Sequence, residues 1–280
     1  VTGTLCASIL ERTSRSTETA FHPFTTDYEE SEPRMPTAGS AAEPLRLEQE
    51  GAIARVVIDR AEDGNSVDAA ALSALAQALE RLAGQSGVRA LILTGAGADF
   101  CRGRVPTRRD QRPTALEVRS ELEQILSVNR ALRDFPHPTI AAVEGRALGF
   151  GCGLAAHCDI TIAAQDSRLG FPELLGNLPP LIVLSYLGRV VPRKIALDLV
   201  LTARAIDAQE AQRIGLVSQV VASGTAAKSA TEAATALLER DPLAVSLARK
   251  FAREALHADE DTASEYGITM LSAYLSSRAR

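Results

Sequence analysis

The sequence predicts an α/β fold whose strand-and-helix half gives way to a mainly helical C-terminal half. Three observations carry this. Strand-type and helix-type apolar patterns alternate from Leu45 to about residue 204, the pattern beyond Pro180 is almost wholly of helical period, and glycine turns stand at the ends of buried strands. The 280 residues are 46% hydrophobic and 23% charged, proportions of a globular chain able to bury a sizeable core rather than of a disordered or fibrous one. The net charge of −5 speaks against a nucleic-acid surface, and no run approaches the ~20 apolar residues of a membrane span. Neither nucleic acid nor membrane is therefore expected as a partner, and a cytoplasmic location is expected.

The elements follow in order. Residues 1–40 are rich in Ser, Thr and acidic side chains with few apolar positions, so a disordered tail is expected there. Residues 41–204 form the expected core and 205–280 the expected helical region. Leu45 and Leu47 alternate with polar residues, and Ala52 to Asp59 reads as the second strand of a hairpin turning at Glu50-Gly51. Asp68 can cap a helix whose Leu72, Leu75, Leu79 and Leu82 share one face, and Val88 to Thr94 reads as a buried strand ended by Gly95. A long helix after Pro113 is expected to bury Val118, Leu122, Ile125 and Leu132. Strand Thr139 to Val143, a glycine turn, a short helix and strand Ile160 to Ala163 continue the alternation. Helices are then expected at 181–187, 193–201, 208–214, 226–239, 242–256 and 262–277, with one strand at 217–221.

The four cysteines, Cys6, Cys101, Cys152 and Cys158, are too few and too irregular for a disulfide framework, so free thiols are expected. Cys152, His157 and Cys158 fit no common zinc spacing, and no metal is expected.

Three segments can carry chemistry. Gly145-Arg-Ala-Leu-Gly-Phe-Gly-Cys-Gly153 follows a strand and feeds a helix, which presents unpaired backbone N–H groups at the positive end of the helix dipole. It is neither a P-loop nor a dinucleotide fingerprint, because no Gly-Lys-Ser/Thr follows and Leu154-Ala155 stand where a third glycine belongs. Tight strand-to-helix packing with nothing bound is an equally open reading of the spacing. The second segment, Phe100-Cys-Arg-Gly-Arg104, follows the preceding strand, and loops after successive parallel strands gather at one sheet edge, where two backbone donors can form an oxyanion hole. Arg102, Arg104, Arg108, Arg109 and Arg112 around it suit phosphate groups, or else make a solvated loop. In the third segment, Leu169-Gly-Phe-Pro-Glu173, a carboxylate beside Phe171 and Leu174 would have its pKa raised by desolvation and become a usable base; an exposed helix-capping Glu is the other reading.

Four motifs in order, FCRGR at 100–104, EGRALGFGCGLAAHCDITIA at 144–163, GFPELLGNLPP at 170–180 and LTARAIDAQEAQRIGLVSQVV at 201–221, give the chain from Leu45 onward a close resemblance to the crotonase superfamily, the enoyl-CoA hydratase/isomerase fold. The resemblance implies a crotonase-like spiral of ββα turns with a C-terminal helical trimerisation region, hence a homotrimer or a dimer of trimers. It implies an enzyme that polarises an acyl-thioester carbonyl with the backbone amides of Arg104 and Phe150 and uses Glu173 as its acid/base group. Ser66, Arg102, Gly103 and Arg104 are implied to hold the coenzyme A part of an acyl-CoA or acyl-carrier thioester. No separate cofactor is implied, because coenzyme A belongs to the substrate. The helix after Pro113 and the segment 181–187 are expected to shape the acyl pocket.

The family's hydratases commonly place another carboxylate where this chain has Gly153, and Glu144, which precedes the turn, is read as a structural strand-end residue. Water addition uses two carboxylates, whereas one suffices to move a proton between Cα and Cγ. Single-carboxylate double-bond isomerisation is therefore favoured over hydration by Glu173 alone, and Gly153→Glu is expected to raise hydration. A non-catalytic acyl-CoA or acyl-carrier binding module is the reading from another class. A serine hydrolase is disfavoured by the absence of a Gly-x-Ser-x-Gly elbow.

Overall fold

A computed structural model describes residues 43–105 and 112–278. The expected tail at 1–40, Cys6 and the loop arginines Arg108 and Arg109 lie outside the described residues.

The expected hairpin is present as β1 (Leu45–Glu50) and β2 (Ile53–Ile58), paired antiparallel. From there the strands run parallel: β3 (Ala90–Gly95), β4 (Thr139–Val143), β6 (Ile160–Ala164) and β9 (Gln219–Val221) complete a sheet of order β1-β2-β3-β4-β6-β9. A second sheet was not anticipated. It joins β5 (Arg146–Leu148), β7 (Arg168–Gly170) and β8 (Ala205–Asp207), so the chain past residue 205 still contributes strands to both sheets.

A parallel sheet is stable when both faces are covered. Ala54, Val56, Leu91, Leu93, Ala141, Val143 and Ala163 face the main core, where α1 (Ala69–Ala83) buries Leu72, Leu75, Leu79 and Leu82 as its periodicity predicts. The Asp68 carboxylate caps this helix, accepting the Ala71 N–H at 2.8 Å. The alternate residues Ile53, Ala90, Ile92, Ile140, Ala142 and Ile162 face α7 (Ala226–Leu238), whose Ala226, Ala230 and Ala234 repeat every fourth residue and let the helix approach closely.

Between these lie α2 (Ala115–Arg133), α3 (Phe150–His157), α4 (Leu181–Val190), α5 (Arg193–Thr202) and α6 (Ala208–Arg213); α8 (Pro242–Ala255) and α9 (Glu260–Arg278) end the chain. The buried stripe of α2 is shorter than expected. Val128 and Leu132 are fully covered, Ile125 packs at the core's edge, and Val118 is 37% exposed in the N-terminal half. β3 starts two residues late because the Val88 N–H closes a turn on the Gln85 carbonyl. β9 likewise starts at Gln219 because the Leu216 and Val217 amides both bond back to Ala211.

The loop after β3 is tied down by polar groups. Buried Asp99 accepts hydrogen bonds from Arg146 through its backbone N–H (2.9 Å), Nε (2.9 Å) and Nη2 (2.8 Å), and the Asn65 side chain donates to the Ala96 carbonyl at 2.8 Å. Asp99→Ala removes the acceptor of the Arg146 backbone N–H and of its guanidinium, so a loss of about 2 kcal/mol in urea unfolding is expected. A loss under about 0.5 kcal/mol, the range of ordinary surface substitutions, would show that the pair holds nothing.

Candidate active site

Parallel strands in register end at the same edge, and Thr94 of β3 pairs with Ala142 of β4, so the two glycine loops leave the sheet side by side. The loops then pair directly. Phe100 N–H donates to the Glu144 carbonyl at 2.8 Å, Cys101 N–H to that of Arg146 at 3.0 Å, and Leu148 N–H back to that of Cys101 at 2.9 Å. On the other side of β5, Leu148 pairs with Gly170 of β7, and Gly149 N–H donates to the Gly170 carbonyl at 2.8 Å. Residues 101–105, 146–150 and 170–173 are thereby laid edge to edge.

Two backbone conformations aim the donors. Gly103, at φ +115°, breaks the strand alternation. The Gly103 carbonyl and the Val105 N–H both turn to Val67, at 2.9 and 2.8 Å, which leaves the Arg104 N–H on the edge that faces β5. Gly149 has φ +52° and ψ −118° and starts α3, so the Phe150 N–H is an orphan donor of the first helical turn. Neither amide has an acceptor among the described residues. A side chain at Gly151 would run into the Cys101 carbonyl, which accounts for a third glycine in this turn.

Glu173 lies in a short 3₁₀ turn, Pro172–Gly176, that begins with Pro172. A Cβ on Gly149 would stand only 3.2 Å from Glu173 Oε1, so the carboxylate rests against the glycine that precedes the Phe150 amide. Its Oε2 is buried without a hydrogen-bond partner among the described residues. Burial pushes the Glu173 carboxyl above the ordinary range, opposed only by its own backbone N–H.

Glu144 stands apart from this group. Its carboxylate accepts the N–H groups of Gly224 (3.0 Å) and Ala226 (2.8 Å) at the start of α7, a structural role in line with its strand-end position.

Ser66, Arg102, Gly103 and Arg104 share one ladder. Ser66 precedes Val67, which bridges to Arg104, while Arg102 N–H donates to the Gly64 carbonyl at 3.0 Å and its aliphatic stem covers Gly64. Cys101, Cys152 and Cys158 are free thiols, and burial pushes Cys101 up to about 12.

Position 153 faces an aromatic side chain. A Cβ there would lie 2.5 Å from the Tyr186 hydroxyl of α4, so Gly153→Glu requires Tyr186 to shift. Tyr186 does not stand out in the sequence. It sits inside an apolar helical run, and its only signal is a polar tip within the segment 181–187 expected to shape the acyl pocket.

Residues 48–280 match the family described as enoyl-CoA hydratase/isomerase. The chain belongs to the enoyl-CoA hydratase/isomerase family. Over 218 residues it is 35% identical to the short-chain-enoyl-CoA hydratase of Clostridium acetobutylicum, covering 78% of this chain and 84% of that one. It is 31% identical over 214 residues to the 2,3-dehydroadipyl-CoA hydratase of Escherichia coli, covering 76% and 81%. An enoyl-CoA hydratase structure from Bacillus anthracis superposes with a TM-score of 0.79 at 28% identity, covering 84% of this chain and 92% of that one. The chain is thus an enzyme of the enoyl-CoA hydratase/isomerase family with the crotonase fold. No helix among the described residues is long and apolar enough to cross a membrane.

Because burial raises the folded-state pKa of Glu173 above its unfolded value, the unfolded chain releases that proton first and folding stability falls as pH rises through this window. Glu173→Gln lacks this penalty. Its stability advantage over the parent, read from urea midpoints, is expected to be near zero at about pH 4 and to grow toward pH 7. An advantage that shrinks as pH rises would contradict the buried, unpartnered carboxylate.

Proposed function

We propose that this enzyme converts 3-enoyl-CoA to 2-enoyl-CoA thioesters, with Glu173 carrying the proton from Cα to Cγ. The observation that carries the reading is a half-buried carboxylate, Glu173, set against Gly149 at the start of α3 with its buried Oε2 lacking a hydrogen-bond partner among the described residues, and with glycine at the place of a second carboxylate. The thioester carbonyl oxygen accepts the amides of Arg104 and Phe150. Glu173 removes a Cα proton, the dienolate is held by the two N–H groups, and the proton is returned at Cγ. Each hole donor removed is worth ~10²–10³ in rate and a positioned base ~10²–10⁴.

Ser66, Arg102, Gly103 and Arg104 take the coenzyme A part, so no separate cofactor is needed. Leu175, Leu178 and Leu181, exposed just after Glu173, suit an apolar acyl chain. Hydration by Glu173 alone is the second reading, favoured because the relatives from C. acetobutylicum and E. coli are both named hydratases. This reading places the enzyme in the cytoplasm.

A panel of 2-enoyl- and 3-enoyl-CoA esters followed by mass spectrometry is expected to show 3-enoyl esters isomerised faster than 2-enoyl esters are hydrated. Glu173→Gln should slow turnover by roughly 10²-fold or more with thioester affinity retained. Efficient hydration with no isomerisation would overturn the isomerase reading.

The same reading includes self-association through α8 and α9. It is supported by Ile268, Leu271 and Leu275, which are more than half exposed, and by an apolar cleft that Leu247, Phe251 and Leu271 line. Light scattering at micromolar concentration should give the mass of three or six protomers, and a monomeric mass would remove it.

A further inference from the structure

We propose that Tyr186 determines reaction specificity: the end of its ring, hydroxyl included, occupies the seat that a side chain at position 153 would fill and so keeps an activated water from the β-carbon of the bound acyl chain. The inference rests on the enolate chemistry proposed for Glu173 and adds to it a residue that decides the fate of the enolate.

The geometry begins on α3. Gly153 N–H bonds to the Gly149 carbonyl at 3.0 Å, so the two glycines stand one helical turn apart on the same face. Glu173 rests on the first of them and Tyr186 on the second. The two side chains therefore cover adjacent turns, as two carboxylates would if position 153 carried one. The Tyr186 hydroxyl has no hydrogen-bond partner among the described residues, which leaves its polar end to whatever enters the site.

Tyr186 is also held in place. Its ring lies 4.4 Å, centroid to centroid, from that of His157, and His157 is itself fixed by a 2.7 Å contact between Nδ1 and the Gly153 carbonyl. Val183 and Leu187 anchor α4 in the core on either side of it. Burial, with the Cys152 thiol and the Glu173 carboxylate adding to it, pushes the Tyr186 phenol well above its ordinary range. At neutral pH the group is a neutral hydroxyl that can share a hydrogen bond but cannot take a proton from water. Water must lose a proton as its oxygen bonds to Cβ, and a carboxylate at this place would receive it whereas a phenol does not. Proton transfer through Glu173 needs no such partner and proceeds.

The test compares Tyr186→Phe, Tyr186→Ala, Gly153→Glu and the double variant Tyr186→Ala/Gly153→Glu. Each is read as the ratio of 2-enoyl-CoA hydration to Cα proton exchange of butyryl-CoA in D₂O, with butyryl-CoA affinity as the check on folding. Tyr186→Phe should keep the ratio within about threefold, and the double variant should raise it by about tenfold or more while Gly153→Glu alone does not. A ratio that falls about tenfold in Tyr186→Phe would mean that the hydroxyl holds the water, and would overturn the proposal. A double variant that binds butyryl-CoA normally at the parental ratio would do the same. Should the double variant fail to bind, Tyr186→Ala decides: opening the seat to water should raise the ratio at least about threefold, and an unchanged ratio overturns the role. Failure of the isomerase reading shows itself separately, as absence of 3-enoyl-CoA turnover in the parent enzyme.

Discussion

The site depends on a handful of backbone hydrogen bonds between segments that are far apart in sequence. Cys101 pairs with Ala147, Leu148 with Gly170 and Val67 with Arg104, and these pairings lay three loops side by side at the end of the main sheet. Each pairing is only one to three residues long, too short to persist alone, so the loops depend on the sheet beneath them. That sheet is buried on both faces, by the leucines of α1 on one side and the alanines of α7 on the other. The polar ties act on the same loops. Asp99 grips the start of β5 through Arg146, and Glu144 fastens the end of β4 to the start of α7.

Against this rigid frame the site keeps groups that folding alone would not favour. Glu173 has a buried oxygen without a partner and two amides lack acceptors among the described residues. Buried polar groups elsewhere in the described structure are mostly satisfied: Thr94 bonds to the Ala142 carbonyl, Thr161 to that of Ala155 and Ser167 to that of Val143. Three other buried side-chain atoms, Arg55 Nε, Arg89 Nε and Asn129 Oδ1, also lack a partner among the described residues, but the Glu173 oxygen and the two amides stand where a polarised thioester would supply what is missing. A preorganised site of this kind stabilises developing charge without reorganising as it forms.

Much of the frame is legible in the sequence because it rests on local rules. The α1 face announces itself through four leucines and an Asp cap, and β3 and β4 through short apolar runs ended by glycine. Glu173 is legible through its apolar neighbours, and burial does raise its pKa. The second sheet is not legible, because three-residue strands such as β5, β7 and β8 are too short for any periodicity and form only when distant partners meet. Tyr186 is hidden for a related reason: a helical pattern shows that α4 is amphipathic but not which backbone its tyrosine meets. The Val118 stripe overreached because periodicity marks a possible face and not how far the partner surface extends.

The central claim is that Glu173 alone moves the Cα proton of a thioester held by the Arg104 and Phe150 amides. Solvent exchange at Cα of a saturated acyl-CoA tests it most directly, because exchange needs the hole and the base but neither a double bond nor water addition. The account predicts that the parent enzyme exchanges this proton in D₂O and that Glu173→Gln binds the thioester equally well but exchanges it about 10²-fold more slowly. Equal exchange rates in the two proteins would contradict it.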